Sequence, residues 1–243
     1  HDVPVRSCGK VVVATSPDQL PALDELVRRG TANGVRLETV DERGLADLEP
    51  LAQTVERAIW SPDTGVADPR AVTAALQRDL TERGVTIRTS TPVTRPPDAG
   101  HIINAAGLYA DRVAAWFGFC DDYVMMPFKG LYWYGNDRAP RLQRHVYPVP
   151  DPRNPFLGVH FTVTPGGGVK VGPTAIPVLS REAYSWGFRS DEAREVARAF
   201  PAFLRGGHHD VPALIRSEVP KYSRRWLVRQ ARALVPTADG FTI

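Results

Sequence analysis

The chain has 243 residues, of which 43% are apolar and 23% charged, enough for an ordinary globular core in one large domain or two modest ones. A net charge of only +3, spread along the chain, excludes a nucleic-acid binder as the default reading and leaves a mild attraction for small anions. No apolar run approaches the roughly 20 residues of a membrane-spanning helix.

In chain order, residues 10–15 (KVVVAT) predict a buried strand after a turn at Cys8 and Gly9. Ser16 and Pro17 predict a helix start, with Ser16 as cap and Leu20, Leu23, Leu26 and Val27 as the apolar stripe. Asn33 and Gly34 end that helix as a left-handed stop. A short strand is expected over 35–40 and a short helix over 41–49, ended by Pro50. After a turn at 61–65, Asp68 and Pro69 mark a strong helix start. Val72, Ala75, Leu76 and Leu80 give the following helix a buried face, Gly84 closes it, and residues 85–89 read as a strand. Helix, glycine and strand together make half of a βαβ unit.

Residues 90–99 are Pro-rich and polar, a loop. Residues 101–111 (HIINAAGLYAD) read as a short apolar strand running through Ala106 and Gly107 into a helix that reaches Trp116. Backbone without bulky side chains there can approach a planar or phosphorylated ligand, and the helix behind offers its N-terminus to an anion. The plain alternative is a tight turn that serves packing only. Farther on, Asp191 caps a helix through Phe203, residues 206–210 form a loop, and residues 213–234 are mostly helical with a break near Pro220.

The stretch 127–173 is the most informative. Aromatic and β-branched residues alternate with polar ones between Gly and Pro punctuation, as in short strands and turns. Lys129, Tyr132, Tyr147 and His160 lie on those strands. On one sheet face they would form a wall for binding a carboxylate and moving a proton. His160 is the base candidate, because imidazole titrates near neutral pH, against the plain reading of a hydrogen-bonded core histidine. Lys129 stands among apolar neighbours, which favours a partnered cation over a solvated one. Gly166, Gly167 and Gly168 lack the Lys-Ser/Thr of a phosphate loop and read as a hairpin turn. The adjacent His208 and His209 do not read as a metal site, and no metal is expected. Cys8 and Cys120 have no metal-type spacing and read as reduced structural thiols.

Taken together, the chain resembles the FAD-dependent L-2-hydroxyglutarate oxidase/dehydrogenase family within the D-amino-acid-oxidase-like (DAO) flavoproteins. The resemblance rests on Cys8-Gly9-Lys10 with Val13-Ala14-Thr15, Ala32-Asn33-Gly34, Glu49-Pro50, and Ser61-Pro62 with Thr64-Gly65. It continues in Ile103-Asn104-Ala105-Ala106-Gly107 with Ala110-Asp111-Arg112, in Pro127-Phe128-Lys129-Gly130, in Tyr147-Pro148-Val149-Pro150-Asp151-Pro152, in Phe156-Leu157-Gly158-Val159-His160, and in Val171-Gly172-Pro173 with Ala175. The family's opening GxGxxG strand-turn, which holds the FAD pyrophosphate, and its closing segment are not in this sequence, so the chain is expected to be a piece of a longer protein.

The resemblance implies an α/β (α+β) fold with two intertwined parts. One is a partial FAD/NAD(P)-binding-type layer from residues 1–15, 85–118 and 225–243. The other is an antiparallel-sheet substrate domain from 16–84 and 119–224. It implies FAD as cofactor, with Ala106, Gly107 and Leu108 beside it. The implied reaction converts L-2-hydroxyglutarate to 2-oxoglutarate, with His160 as base, Lys129 and Tyr147 holding carboxylates, and Tyr132 and Lys129 contacting substrate. The implied partners are a small 2-hydroxy dicarboxylate and an electron acceptor, oxygen or a membrane quinone pool, with no nucleic acid. The implied location is cytoplasmic, with peripheral attachment to the inner membrane as a variant. The competing expectations are an amino-acid or glycerol-3-phosphate oxidase of the same flavin class, and a non-catalytic module unable to hold FAD.

Overall fold

The computed structural model describes residues 3–120, 123, 125–151, 157–184, 190–205, 220 and 223–242. The chain divides into two compact units. Unit 1 holds residues 1–85, 130–174 and 218–243, and unit 2 holds residues 86–129 and 175–217.

Unit 1 is built on an eight-stranded mixed sheet. Its strands are β2 (Lys10–Val13), β3 (Glu38–Asp41), β4 (Arg57–Ser61), β7 (Trp133–Gly135), β8 (His145–Pro148), β9 (His160–Val163), β10 (Val169–Gly172) and β12 (Phe241–Thr242). Their order is β12-β7-β10-β9-β8-β2-β4-β3. Among the described ladders only β2 and β8 run parallel, with Lys10 opposite His145 and Val12 opposite Tyr147. A separate antiparallel ribbon pairs β1 (Val5–Ser7) with β5 (Gly65–Ala67).

Each strand alternates apolar and polar residues, so each sheet face has its own composition. Val11, Val13, Val146, Phe161, Val163, Val169, Val171 and Trp133 point to one face. That face packs under helix α2 (Glu42–Leu48), through Leu45, and the C-terminal helix of unit 1 (Arg224–Leu234), through Leu227, Ala231 and Leu234. Burying each such Leu or Phe contributes about 1.5–3 kcal/mol. On the other face, helix α1 (Leu20–Ala32) covers Val12, Ala14, Ile59 and Val149 with Leu20 and Leu23. Of the predicted caps, Asp68 is in place and Asp191 lies within the first turn of its helix, while Asp41 is a cap that the sequence reading did not name. Asp41 accepts from Gly44 N at 2.8 Å and opens α2, and Asp68 accepts from Arg70 N at 2.9 Å and opens α3 (Pro69–Glu82). Ser16 makes no capping bond. A turn of 3-10 helix (Pro17–Gln19) precedes α1 there, and Gln19 Oε1 accepts from Thr15 N at 2.7 Å instead.

Glu49, just past α2, is fully buried. Its Oε2 accepts from Gln143 N (2.6 Å) and Arg144 N (2.9 Å), and its Oε1 accepts from Leu51 N (3.4 Å). This carboxylate ties the chain after α2 to the turn that enters β8, about ninety residues away.

Unit 2 holds the two-stranded sheet of β6 (Phe128–Lys129) and β11 (Ile176–Pro177), helix α4 (Ala110–Ala115) and helix α5 (Ser190–Arg205). Its hub is Arg181, whose side chain is 3% exposed. The guanidinium is bidentate to Asp111 (2.6 and 2.7 Å), pairs with Glu195 and bonds the Leu108 carbonyl. Burial opposes ionisation of Asp111, but the Arg181 guanidinium prevails and holds its carboxyl below the usual range.

Several sequence expectations give way here. Residues 85–89 and 101–103 form no strand, and Ile103 is 92% exposed. A strand exists only where another strand takes its backbone hydrogen bonds, and no described strand does so for these segments, Val85 N donating to Leu80 O at the end of α3 instead. In α3 only Ala75 is buried, whereas Val72, Leu76 and Leu80 are exposed. The units also follow other boundaries than expected. Residues 10–13 sit mid-sheet against β8, because β2 finds its ladder partners at 145–148 and 58–61, not at 85–118. The loop at 206–210, with His208 and His209, and residues 213–219 lie outside the described residues, as do Pro152 and Phe156.

Candidate functional site

The half of the unit 1 sheet that α1 leaves free carries the chemistry. Because Val146, Phe161, Val163, Val169, Val171 and Trp133 face the core, their strand neighbours His145, Tyr147, His160, Thr162, Lys170, Tyr132 and Tyr134 face the other way. Lys10 joins them from β2, in register with His145.

Tyr147 and His160 stack face to face, with ring centroids 3.9 Å apart and planes 18° apart. Lys10 Nζ lies 5.5 Å from the Tyr147 ring centroid, and Lys170 Nζ lies 4.1 Å from that of Tyr132. Each such contact contributes about 0.5–2 kcal/mol, more where it is desolvated. Gly172, opposite His160 and at φ +144°, lets the chain pack closely against Leu131 and Tyr132. A Cβ there would stand 3.1 Å from the Tyr132 ring and 2.6 Å from the Leu131 carbonyl.

The tautomers follow from hydrogen-bond partners. His160 is buried, and its Nδ1 meets the Gly158 carbonyl at 2.9 Å. A carbonyl only accepts, so Nδ1 carries the proton and Nε2 of the neutral ring holds the basic lone pair. Burial depresses the His160 pKa, and nearby Lys170 and Lys10 push the same way against the Gly158 bond. The ring is therefore neutral at physiological pH. Burial likewise lowers Lys10 and raises the phenols of Tyr147 and Tyr132.

His145 is the mirror case. Its Nδ1 accepts from Val163 N at 3.0 Å, so the neutral ring carries its proton on Nε2, which donates to Cys8 Sγ at 3.2 Å. Burial, with Lys10 next, lowers its pKa from 6.5 to about 4. Such a ring is a structural strut, not a base. It also makes stability pH-dependent. The unfolded chain binds this proton below the ordinary value and the folded chain does not, so the stabilisation is complete above pH 6.5 and is lost as pH falls toward about 4. The loss amounts to about 3 kcal/mol, and His160 adds to it in the same direction. Denaturant midpoints measured from neutral pH down to about pH 4.5 should fall steadily, and a flat profile would refute this account.

Of the residues singled out from sequence, the structure brings Tyr132, Tyr147 and His160 together. Lys129 belongs to unit 2. It pairs with Ile176 in the two-stranded sheet of unit 2, because the chain leaves one unit for the other at Gly130. Within unit 1 the cations on this sheet face are Lys10 and Lys170. These two were missed, although Lys10 stands at the head of a valine run and Lys170 alternates with Val169 and Val171, both signals of a side chain on the free face.

Ala106 and Gly107 lie in unit 2 at the predicted turn, followed by a turn of 3-10 helix (Gly107–Tyr109) and then α4. Gly107 has φ +55°, and a Cβ there would meet nothing, so the glycine serves the backbone conformation. Residues 101–107 are exposed, with only small side chains at Ala105 and Ala106. This bare backbone fits the approach of a flat or phosphorylated group. Among the described residues there is no group of three His, Cys, Asp or Glu placed to hold a metal ion.

Solved structures share this fold. The chain overlays L-α-glycerophosphate oxidase from Mycoplasma pneumoniae with a TM-score of 0.68 at 19% identity, covering 99% of this chain and 60% of that one. It overlays L-proline dehydrogenase from P. horikoshii with a TM-score of 0.60 at 18% identity, covering 82% and 56%. The DAO family, described as FAD dependent oxidoreductase, matches residues 1–241, and the chain belongs to that family. In sequence it is similar to mitochondrial L-2-hydroxyglutarate dehydrogenase of Caenorhabditis elegans, 37% identical over 206 residues, covering 76% of this chain and 47% of the relative. The Salmonella houtenae L-2-hydroxyglutarate dehydrogenase is 35% identical over 203 residues, with 76% and 47% coverage. The human mitochondrial enzyme is 30% identical over 208 residues, with 74% and 45% coverage. The chain thus spans about half the length of the curated relatives it matches. No helix among the described residues is long and apolar enough to cross a membrane.

Proposed function

We propose that the protein carrying this chain oxidises L-2-hydroxyglutarate to 2-oxoglutarate with FAD as cofactor. The carrying observation is the neutral, tautomer-fixed His160 stacked on Tyr147 between two lysines. His160 Nε2 takes the substrate hydroxyl proton. Lys10 and Lys170 hold the two carboxylates, and Tyr132 and Tyr147 form the walls that orient the carbon skeleton and exclude water. Bound FAD supplies the acceptor for the hydride that leaves Cα. Ala106, Gly107 and Leu108 contact the cofactor. Burial and nearby cations both keep His160 unprotonated, which is what a base must be before reaction.

The test is anaerobic bleaching of the flavin by L-2-hydroxyglutarate, with its D-enantiomer, L-amino acids and glycerol 3-phosphate as comparisons. Bleaching by the L-hydroxy acid alone supports the reading, and bleaching by an amino acid or glycerol 3-phosphate instead overturns it. Oxygen uptake then separates oxygen from a membrane quinone as electron acceptor. Replacing Lys170 by Met should raise KM for the dicarboxylate with little change in kcat, costing about 10–100-fold in kcat/KM, the value of one charge-assisted hydrogen bond. An unchanged KM would remove Lys170 from the carboxylate site.

A further inference from the structure

A cavity in unit 1, of about 720 Å³, opens among the turn after β7, the approach to β8 and the β9–β10 hairpin. Its lining includes Arg6, Arg141 and Arg144 against one carboxylate, Asp137. None of Tyr132, Tyr147, His160 or Lys170 lines it. Its floor includes Leu142 and Val169, which belong to the core under α2, on the sheet face opposite His160.

Three features position Arg6 and Arg144. Gly167, at the hairpin tip with φ +86°, lacks the side chain that would obstruct Arg6, whose Nη1 lies 2.8 Å from where a Cβ would stand. Arg144 has its guanidinium carbon 5.4 Å from the Trp60 ring centroid, and its Nε is buried with no hydrogen-bond partner among the described residues. Glu49 grips the backbone N–H of Gln143 and Arg144 and so fixes where that side chain begins. Among the described residues neither Arg6 nor Arg141 takes part in an ion pair. Three arginines lining one hollow repel one another less when an anion joins them, and the planar fork of arginine matches phosphate and carboxylate oxygens in pairs.

We propose that this cavity binds a compact polyanion, a phosphorylated or multiply carboxylated small molecule, at a site separate from the one that turns over substrate. The volume lies within the usual range of small-molecule sites. The contacts are charge-assisted, so affinity falls as salt rises.

The experiment is calorimetric titration of the full, flavin-loaded protein at low ionic strength, with inorganic pyrophosphate and with citrate as probes. The expected result is one saturable site for at least one probe. It should weaken by at least about tenfold in the double variant Arg6→Gln, Arg141→Gln, with flavin reduction by L-2-hydroxyglutarate unchanged. Both arginines are exposed, so the variant should keep its melting temperature; Arg141→Lys, which keeps the charge and loses the fork, should fall between the two. Tighter binding of pyrophosphate assigns a phosphorylated ligand, and tighter binding of citrate a carboxylated one. The proposal is overturned if neither probe binds at millimolar concentration, if the double variant binds as well as the parent, or if L-2-hydroxyglutarate displaces the probe. Because the readout is binding, it stands or falls apart from the substrate assignment.

Discussion

Replacing His160 by Gln in the flavin-loaded protein should slow flavin reduction by L-2-hydroxyglutarate by about 10²–10⁴-fold, the usual contribution of a positioned base. Gln can keep a donor toward the Gly158 carbonyl, and its bulk can still lie against Tyr147, so substrate affinity should change little. The loss should therefore sit in the rate of reduction, not in KM. In the parent enzyme the acid limb of the rate should lie below the ordinary histidine value of 6.5, because burial and two nearby lysines depress this pKa. Rapid-mixing reduction kinetics across pH measure both effects. An H160Q rate near that of the parent, or an acid limb unchanged in the variant, would take the base role from His160.

Much of this site could be read before any coordinates. The alternation around His160 places it opposite Val159 and Phe161, and the tyrosine at 147 was visible as a sheet-face residue. Local chemistry also announced the cap at Asp68, the stop at Gly34 and the hairpin at Gly167. What escaped depends on register between distant strands. Nothing near Lys10 says that it lies beside His145, and nothing near Lys129 says that its partner is Ile176. The β-branched runs at 85–89 and 101–103 look like strands by composition, but composition cannot supply the second strand that a ladder requires. His145 and Glu49 were passed over because their partners are backbone N–H groups at Val163, Gln143 and Arg144, which leave no pattern in side-chain identity.

Replacing Glu49 by Ala should lower folding stability by about 3–5 kcal/mol, the range for breaking a buried charged interaction. The carboxylate has no exposed surface and two short bonds to consecutive N–H groups. Its removal leaves buried donors unsatisfied and opens a cavity. Glu49→Gln keeps the shape and one acceptor oxygen and should cost less than half as much. Denaturant unfolding of both variants checks the ordering. If E49A and E49Q unfold together and within about 1 kcal/mol of the parent, the loop before β8 is held by something other than this carboxylate.

The parallel pairing of β2 with β8 also sets a timetable for synthesis. A strand that leaves the ribosome first must pair along one side with residues some 135 positions later. At ribosomal speeds this leaves the Val11–Val13 edge without that neighbour for on the order of ten seconds. During the wait β4 can shield the opposite edge, since it follows within about fifty residues. The bare edge is short and begins with a lysine, a charge that discourages pairing with another nascent chain. Lys10 would then serve twice: as a guard while the chain is made, and as a carboxylate anchor once β8 has closed beside it.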